Sequence, residues 1–488
     1  MGVVSALAAA APARADAPLA PCRIDGVRHT LMCGELARPL DPARPDGPTL
    51  TVRYVVAPAL ARRKHPDPVF LVPGGPGQSA SSVIGAVLPL FQRLNNRRDL
   101  VFVDPRGTGR SEALDCEDPR QQPVADQTDP DRQFRDLMAC RDRLAARPAL
   151  GGVDGLRFFT TTLAMQDLDA VRAALGAARI NLVGVSYGTR AVLEYLRLHP
   201  SRVRRAVLDG VAPPDMALPA SQSVDGQAVL DALLAACAGD AGCAADFPDL
   251  RGDWATLLAG LPRRVVVAHP LTGAPEPLTM TRDMVLNAVR GALYAPVLAS
   301  ALPAAIHAAA GGRFEGLVGL GSSLFSGRGG AIAAGMHFSV VCAEDLPRVD
   351  GPQGDGRPAA RGKDFGDGQL ALYRRVCAQW PRGAVPPGFY TVPPSPAPVL
   401  LLSGGLDPVT PPRHAERVAT ALGPNARHVV VPHGGHGLLS IGCLRGAWFR
   451  FIDAPDDATA LQVDTGCAGA LPRPPAYRPP RLPAEAAR

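Results

Sequence analysis

The sequence predicts an α/β protein built on a mostly parallel sheet with helices on both faces, interrupted by a large and mainly helical insertion. Three observations support this fold class. Short apolar runs alternate with helical patterns from residue 50 to residue 212, and each run ends in a glycine-rich or polar loop. Two more such runs appear after residue 397. The roughly 185 residues between these regions are instead rich in Ala and Leu at helical spacing.

The expected domain boundaries follow from this change of pattern. Proline-rich stretches at 386–396 mark the return from the insertion to the sheet. The predicted segments are a signal peptide at 1–15, the first part of the core at 16–212, a lid insertion at 213–396, the second part of the core at 397–470 and a Pro-rich tail at 471–488. Because the tail lacks apolar periodicity, we expect it to be loosely attached.

A G-x-S-x-G motif at 184–188 is the most informative local feature. It follows the apolar run 180–183 and opens onto a helical pattern, so it predicts a sharp turn from a strand into a helix. Glycines on both sides of Ser186 remove the Cβ clashes of such a turn, and the serine hydroxyl is then exposed above the helix N-terminus. A glycine-rich chain can contain this motif by chance, so its weight depends on the features that accompany it.

A second loop can supply hydrogen bonds to a reacting carbonyl oxygen. The strand-like run 68–72 breaks into Pro-Gly-Gly-Pro-Gly at 73–77, where no side chain would block a backbone N–H. We predict that the amides of Gly75 and of Tyr187, the residue after Ser186, form an oxyanion hole. An ordinary strand-to-loop turn is the alternative interpretation.

An acidic residue follows the first strand of the second part of the core. Asp407 comes after the run 398–403, at the carboxyl end of a strand, where active-site groups gather in open α/β sheets. We predict that Asp407 is a catalytic acid that orients a histidine. The alternative is a helix N-cap or a turn position.

Two histidines compete for the role of general base. His433 and His436 both follow the last predicted strand, on a loop able to reach acid and nucleophile. We select His436 because the glycines at 435 and 437 leave its ring unobstructed, and we expect His433 to lie on a wall or at the surface. A metal site formed by His428, His433 and His436 is a further alternative, although no carboxylate or cysteine joins them at ligand spacing.

The chain order serine, acid, histidine is the order found in α/β-hydrolases, and it predicts nucleophilic acyl transfer. His436 would accept the proton of Ser186, and Asp407 would orient the imidazole and stabilise its charged form. The amides of Gly75 and Tyr187 would stabilise the tetrahedral oxyanion. This chemistry requires no cofactor and no metal.

These motifs resemble the proline iminopeptidase and tripeptidyl aminopeptidase family of α/β-hydrolase exopeptidases. The resemblance is carried by Gly-Gly-Pro-Gly at 74–77, Asp-Pro-Arg-Gly-Thr-Gly at 104–109, the motif at 184–188, Asp407 and Gly-His-Gly at 435–437. It implies an α/β-hydrolase fold with a lid, and the release of N-terminal residues or tripeptides from peptides that have a free N-terminus. Pro73, where many relatives have His, and Tyr187, where short proline iminopeptidases have Trp, favour the longer secreted branch.

Composition bears on possible partners. The formal charge of +6 is spread over 488 residues without a basic run of five or more, and only two of the 51 basic residues, Lys64 and Lys363, are lysines. We therefore expect no nucleic-acid partner. No apolar run of 18 or more residues follows the N-terminal segment, so no membrane span is predicted. The composition leaves the oligomeric state open.

The ten cysteines fall into couples that are close in sequence. An even count in an exported protein favours disulfides, and none of the cysteines has the C-x-x-C spacing of zinc or redox sites. Ten buried free thiols are the alternative. The predicted pairs are Cys22 with Cys33, Cys116 with Cys140, Cys237 with Cys243, Cys342 with Cys377 and Cys443 with Cys467.

The N-terminus is consistent with export. Residues 3–11 resemble the apolar segment of a signal peptide, and Ala-Arg-Ala at 13–15 offers a cleavage site, although a basic segment before the apolar run is missing. Together with the cysteines, this predicts a secreted or periplasmic bacterial protein.

One stretch of the predicted lid is a candidate for substrate binding. A mostly apolar run at 336–343 ends in Glu344 and Asp345. A rigidly held carboxylate pair can bind the free α-ammonium group that an aminopeptidase must recognise. A helix cap or a structural ion pair is the competing interpretation.

Three functional hypotheses remain. A serine exopeptidase would require a free amine on its substrate, whereas a carboxylester hydrolase would use the same triad without that requirement. A non-catalytic binding module would be expected to lack a triad residue, and none is missing. The Gly-Gly-Pro-Gly loop and the carboxylate pair favour the exopeptidase.

Overall fold

The computed structural model describes residues 19–118, 122–323, 331–350 and 361–479. The predicted signal peptide at 1–15 lies outside the described residues, as does the end of the predicted tail.

A nine-stranded mixed sheet forms the centre of the described chain, and a separate two-stranded hairpin lies in the insertion. The strands are β1 (Ala20–Cys22), β2 (Leu31–Pro39), β3 (Thr49–Ala57), β4 (Val69–Val72), β5 (Leu100–Val103), β6 (Ile180–Val185), β7 (Val203–Asp209), the hairpin strands β8 (Arg263–Ala268) and β9 (Pro275–Met280), β10 (Val399–Gly404) and β11 (Ala426–Val431). The order in the central sheet is β1-β2-β3-β5-β4-β6-β7-β10-β11. The pairs among β1, β2, β3 and β5 are antiparallel, and the remaining pairs are parallel.

Both faces of this sheet are covered, as the fully apolar central strands predicted. In β4, Val69 and Leu71 pack into one hydrophobic cluster, whereas Phe70 and Val72 pack into the cluster on the opposite face. This alternation follows from the two-residue period of a strand. The predicted α/β class and the mostly parallel sheet are confirmed.

Helices cover the two faces of the sheet. Those before the insertion are α1 (Ala80–Asn95), α2 (Val124–Thr128), α3 (Pro130–Ala145), α4 (Thr161–Ala174) and α5 (Tyr187–Leu198). Polar residues start several of them: the Ser79 side chain accepts a hydrogen bond from the Ser82 amide at α1, and that of Thr160 accepts one from Leu163 at α4.

The insertion lies between β7 and β10 and is mainly helical, as predicted, but it also contains the β8–β9 hairpin, which was not predicted. Its helices are α6 (Ala220–Gly239), α7 (Ala241–Asp246), α8 (Leu250–Ala259), α9 (Arg282–Leu293), α10 (Pro296–Ala299), α11 (Leu302–Ala310), α12 (Glu315–Ser323), α13 (Ala334–Val340), a π-helical turn (Val341–Asp345), α14 (Leu346–Asp350) and α15 (Gly368–Cys377). After it come α16 (Pro412–Leu422), α17 (Leu444–Asp453) and α18 (Asp457–Leu461).

The insertion contains two regions with different cores. Residues 220–323, here called the outer insertion, enclose their own hydrophobic cluster, in which Trp254 and Phe314 are buried. Residues 331–350 and 361–380, here called the inner insertion, contribute Phe338 and Trp380 to a cluster on the central sheet. The inner insertion is therefore part of the core of the sheet, although it lies far along the chain.

Five disulfides are present, and they join the five predicted pairs. Cys342–Cys377 connects the π-helical turn to the end of α15 within the inner insertion. Cys443–Cys467 fixes the segment that follows the predicted histidine loop.

The described part of the Pro-rich tail, residues 471–479, is attached to the outer insertion. The Tyr477 amide donates a hydrogen bond to the Ser300 carbonyl oxygen (2.8 Å), and Arg478 pairs with Asp246. The expectation of a loosely attached tail is wrong for these residues, because they bond through their backbone and pack without needing apolar periodicity. None of the helices within the described ranges has the length and apolar character needed to cross a membrane.

Candidate active site

Ser186 lies at a strained turn between β6 and α5. Its backbone has φ 57° and ψ −126°, a conformation that a residue with a side chain rarely adopts. Close packing requires the neighbouring glycines, because a Cβ at Gly184 would lie 2.6 Å from the Gly188 carbonyl oxygen, and one at Gly188 would collide with the Val72 carbonyl oxygen. The Ser186 amide donates to the Asp209 carbonyl oxygen (2.8 Å) and so holds the turn against β7.

Asp407 and His436 meet at the carboxyl edge of the sheet. The His436 Nδ1 lies 2.8 Å from the Asp407 Oδ2, and because a carboxylate accepts, Nδ1 carries the proton and Nε2 is left to accept one. His436 also packs beside Gly210, where a Cβ would lie 3.4 Å from Nδ1. Since Gly210 follows Asp209, which holds Ser186, the three predicted triad residues share one edge of the sheet.

Thr410 belongs to this network, although it was not predicted from the sequence. Its Oγ1 donates to the Asp407 Oδ2 (2.7 Å) and lies 3.1 Å from the His436 Nδ1. The amides of Val409 and Thr410 both donate to the Asp407 Oδ1 (2.8 Å each), so the carboxylate is fixed in rotation. The available signal was the turn Asp-Pro-Val-Thr, since an aspartate often bonds the amide two residues on.

A second buried carboxylate, Asp209, holds the histidine loop from behind. It accepts hydrogen bonds from the amides of Leu438 (2.7 and 2.9 Å) and Leu439 (2.9 Å). Burial raises the pKa of Asp209 to about 6, although these amides and His436 oppose the shift. Asp209 was not predicted because it reads in sequence as the last residue of a strand.

Opposing effects set the charges of the Asp407–His436 pair. Burial disfavours the ionised carboxylate, but His436 and Thr410 together hold the pKa of Asp407 below its ordinary value. Burial likewise disfavours the imidazolium, yet Asp407, and less strongly Asp209, raise the pKa of His436 above its ordinary value. The site therefore stabilises the charged form of His436.

The predicted oxyanion donors lie next to the serine. Gly75 has φ +113°, and a Cβ there would lie 2.6 Å from the Gly77 amide nitrogen, so the loop requires glycine. A Cβ at Gly74 would lie 3.2 Å from the Ser186 Cβ, which places this loop beside the nucleophile. Tyr187 is the first residue of α5, where amides have no partner within the helix. The role of the two amides stays a prediction.

Asp345 has a different role from the predicted one. Its side chain is fully buried, and the Arg190 Nη1 lies 3.0 and 3.1 Å from its two oxygens. The Leu218 amide also donates to it (3.0 Å). The prediction that Asp345 binds a substrate ammonium is wrong, because a buried carboxylate neutralised by an arginine offers no surface to a ligand. The competing interpretation, a structural ion pair, describes it.

Glu344 is enclosed as well. Its exposed fraction is 2%, and its Oε1 and Oε2 accept hydrogen bonds from the amide and the hydroxyl of Thr161 (2.8 and 2.7 Å). Burial raises the pKa of Glu344 to about 7, against the opposing effects of Arg190 and Thr161. Glu344 thus braces the protein interior, which corrects its predicted role as the ammonium anchor.

The remaining histidines of the loop region lie apart. His433 is exposed, and the His428 Nε2 lies 3.0 Å from the Ser403 Oγ, so His436 is the one that contacts Asp407. Within the described ranges, no group of three or more His, Cys, Asp or Glu residues is arranged to hold a metal ion.

Family models match both parts of the core. A model of the α/β-hydrolase fold matches residues 67–233, and a model of TAP-like proteins matches residues 363–457. The chain therefore has the α/β-hydrolase fold, and the predicted resemblance to an α/β-hydrolase peptidase family is confirmed at the level of these two models.

Curated relatives agree with this family. The chain is 31% identical over 246 residues to the serine protease Hip1 of Mycobacterium tuberculosis, covering 46% of this chain and 45% of that protein. It is 32% identical over 219 residues to the tripeptidyl aminopeptidase of Streptomyces lividans, covering 43% and 41%. A match of 27% over 426 residues to carboxylesterase B of Mycobacterium tuberculosis covers 81% and 79%. The chain spans just under half the length of the first two relatives. Together they support a serine hydrolase on this fold.

Proposed function

We propose that this chain is a serine peptidase that releases N-terminal residues or tripeptides from peptides with a free N-terminus. The observation that carries the proposal is the 2.8 Å hydrogen bond between Asp407 and His436, at the sheet edge where Ser186 occupies its strained turn. The bond alone is not distinctive, since His307 pairs with Asp253 at the same distance, but its place beside the strained turn is, because a structural serine needs no such backbone.

The proposed mechanism uses residues of the chain alone. The His436 Nε2 accepts the proton of the Ser186 hydroxyl, whose oxygen attacks the scissile carbonyl carbon. Asp407, held by Thr410, keeps the Nδ1 proton in place and stabilises the imidazolium. The imidazolium then protonates the leaving amine, and a water molecule releases the acyl group by the same steps.

Support for a peptidase comes from the relatives. The TAP-like family model and the two peptidase names favour peptides as substrates over other acyl compounds. With Glu344 and Asp345 committed to internal contacts, the requirement for a free amine rests on these relatives and must be tested on substrates.

A carboxylester hydrolase is the second candidate. The match to carboxylesterase B extends over 81% of the chain, further than either peptidase match. An ester hydrolase would use the same Ser186, His436 and Asp407, so only substrates distinguish the two functions.

We also propose that the protein is exported, as a secreted or periplasmic enzyme. Five disulfides support this, because disulfides persist in oxidising compartments. Non-reducing peptide mapping of protein isolated from the producing cells should find all five pairs. Free thiols at most of these positions would contradict export.

A substrate panel with matched variants tests the activity. Chromogenic aminoacyl and tripeptidyl amides, each with a free and a blocked N-terminus, are compared with small activated esters. A peptidase of the proposed kind cleaves the free-amine amides and loses activity when the amine is blocked. Cleavage of esters alone would favour the carboxylester hydrolase.

Ser186→Ala should lower kcat by at least about 10⁴-fold, because a triad acts as a unit. A fluorophosphonate should label the wild-type protein at Ser186 and leave the variant unlabelled. His433→Ala is the matched control for His436→Ala, and it should keep nearly full activity because His433 is exposed. More than about a tenth of wild-type activity in Ser186→Ala would reject the assignment.

A further inference from the structure

One segment of the inner insertion contacts both sides of the proposed oxyanion hole. We propose that residues 332–345 position the amides of Gly75 and Tyr187, and that His337 and Glu344 are the positioning residues. This inference rests on the proposed function and adds a role for the insertion in the chemical step.

The first contact is made through the backbone of the oxyanion loop. The Ala333 amide donates to the Gly77 carbonyl oxygen (2.9 Å), and Ile332 pairs with Gln78 in an antiparallel bridge. A Cβ at Gly77 would lie 2.8 Å from the Ala333 carbonyl oxygen, so the approach requires glycine there. Residues 77–78 of the loop that carries Gly75 therefore pair with residues 332–333 of the insertion as two short antiparallel strands would.

His337 adds a side-chain contact to the same loop. Its Nδ1 lies 3.2 Å from the Pro76 carbonyl oxygen, and its Nε2 lies 2.7 Å from the Tyr373 hydroxyl. A carbonyl only accepts, so Nδ1 carries the proton and Nε2 accepts from the tyrosine. Burial lowers the pKa of His337 to about 4, so the neutral ring that makes both bonds persists at neutral pH.

The second contact reaches Tyr187. The Thr161 hydroxyl donates to the Glu344 Oε2 (2.7 Å) and lies 2.5 Å from the Tyr187 hydroxyl. Since the Thr161 hydroxyl has one proton and donates it to Glu344, the Tyr187 hydroxyl donates to the Thr161 oxygen. This chain of hydrogen bonds fixes the Tyr187 side chain, and with it the first turn of α5 that presents the Tyr187 amide.

Arg190 strengthens this second contact. It lies one turn beyond Tyr187 on α5 and pairs with Asp345, next to Glu344. Asp345 and Glu344 raise the pKa of Arg190 against the effect of its burial, so the arginine stays charged. Two adjacent carboxylates of the insertion therefore hold the start of α5, the helix that follows Ser186.

The triad is supported differently. Asp407 is fixed by Thr410 and the loop after His436 by Asp209, both within the core, and the His436 amide donates to the Tyr294 carbonyl oxygen of the outer insertion (2.9 Å). The Ser186 amide is held separately, by the Asp209 carbonyl oxygen (2.8 Å). Loosening residues 332–345 should therefore weaken stabilisation of the oxyanion more than it displaces the nucleophile and its base.

The test compares three variants with a control. His337→Leu removes both ring contacts, His337→Asn retains a donor near the Pro76 oxygen, and Tyr187→Phe removes the tyrosine donor while keeping the amide. His307→Ala, which changes a half-exposed histidine of the outer insertion, is the matched control. For each protein, kcat and KM on the best substrate of the panel are measured. The inhibition constant of phenylboronic acid, which forms a tetrahedral adduct with a nucleophilic serine, is measured as well.

We expect His337→Leu to lower kcat by about 10- to 100-fold with little change in KM, since misplaced donors cost rate more than ground-state binding. The affinity for phenylboronic acid should fall in parallel, His337→Asn should recover most of the loss, and Tyr187→Phe should lose several-fold. If His337→Leu does not fold by circular dichroism, Tyr187→Phe decides, because it removes only a hydroxyl group.

The inference is overturned if kcat and boronic acid affinity stay within about twofold of wild type in His337→Leu or, where that variant does not fold, in Tyr187→Phe. A rise in KM alone would also overturn it, since that points to substrate binding. These outcomes require an active wild-type protein labelled at Ser186. An inactive, unlabelled wild type would instead reject the proposed function.

Discussion

The outer and inner insertions come from one stretch of chain between β7 and β10, yet they are stabilised in different ways. The outer insertion encloses its own apolar cluster around Trp254 and Phe314. The inner insertion places Phe338 in the core of the sheet, and its Asp345 forms an ion pair with Arg190 of α5. The contrast teaches that an insertion need not act as one unit. The outer insertion has a core of its own and touches the site at one point, where the His436 amide donates to the Tyr294 carbonyl oxygen (2.9 Å), whereas the inner insertion shares the core of the sheet.

The largest expected effect concerns the buried ion pair of the inner insertion. Asp345→Asn leaves the fully buried Arg190 without its counter-charge, and we expect a loss of about 3–5 kcal/mol in the free energy of unfolding. Asp253→Asn, which breaks the partly exposed pair with His307 in the outer insertion, should cost less than about 1 kcal/mol. Urea denaturation measures both. Equal losses would remove the distinction between the two regions.

Substitutions of two buried phenylalanines, one in each insertion, can distinguish an effect on stability from an effect on activity. Phe338→Ala and Phe314→Ala each delete a buried ring, at 5% and 1% exposure, and each should cost about 3 kcal/mol. Because the Phe338 ring contacts His337 (5.3 Å between centroids), only Phe338→Ala should lower kcat on a small ester, by roughly 10-fold. Steady-state kinetics below the unfolding temperature provides the measurement. A similar loss of kcat in Phe314→Ala would show that the core of the outer insertion also supports the site, through the contact of Tyr294 with His436.

The pH dependence of stability reports on the ionisation of Glu344. Its pKa in the folded protein is about 7 against an ordinary 4.5, so between these values the folded protein keeps a proton that the unfolded chain releases. Stability should therefore fall as pH rises from about 4.5 to about 7, by on the order of 3 kcal/mol, and level off above.

Glu344→Gln should lack this contribution, which denaturation at several pH values can measure. The slope from Asp209, whose pKa is raised to about 6, remains in both proteins and cancels in the difference. Parallel stability curves for wild type and variant would mean that Glu344 titrates normally.

The smallest expected effect comes from a substitution in the tail, where it contacts the outer insertion. Arg478→Ala removes an exposed ion pair with Asp246, and we expect no measurable change in Tm or kcat. The backbone bond from Tyr477 to Ser300 keeps the tail in place. A drop of several degrees in Tm would show that the tail holds the outer insertion through this one pair.

Much of the fold and part of the candidate site could be predicted because their signals are local. The apolar runs of β4, β6 and β10 and the glycines around Ser186 specify a strand, a turn and a helix within a few residues. Asp407 and His436 were found because each follows a strand, and parallel strands bring their carboxyl ends to one edge. The five cysteine couples are also neighbours in sequence.

The wrong predictions concern residues whose partners in the structure lie far away in the sequence. Arg190 and Asp345 are 155 residues apart and Thr161 and Glu344 are 183 apart, so no local pattern showed that both carboxylates were already bound. The tail was misjudged for the same reason, since its backbone partner Ser300 lies in another domain segment.

By itself, the sequence determined the alternation of strands and helices in the core, the turn at Ser186 and the identity of the residues able to act as acid and base. Periodicity and backbone conformation are properties of neighbouring residues. Only the tertiary structure decided that Thr410 and Asp209 support the histidine and that the inner insertion joins the core. Those outcomes depend on which buried polar groups find partners, and a buried charge or donor takes its partner from whatever the fold brings within hydrogen-bonding distance.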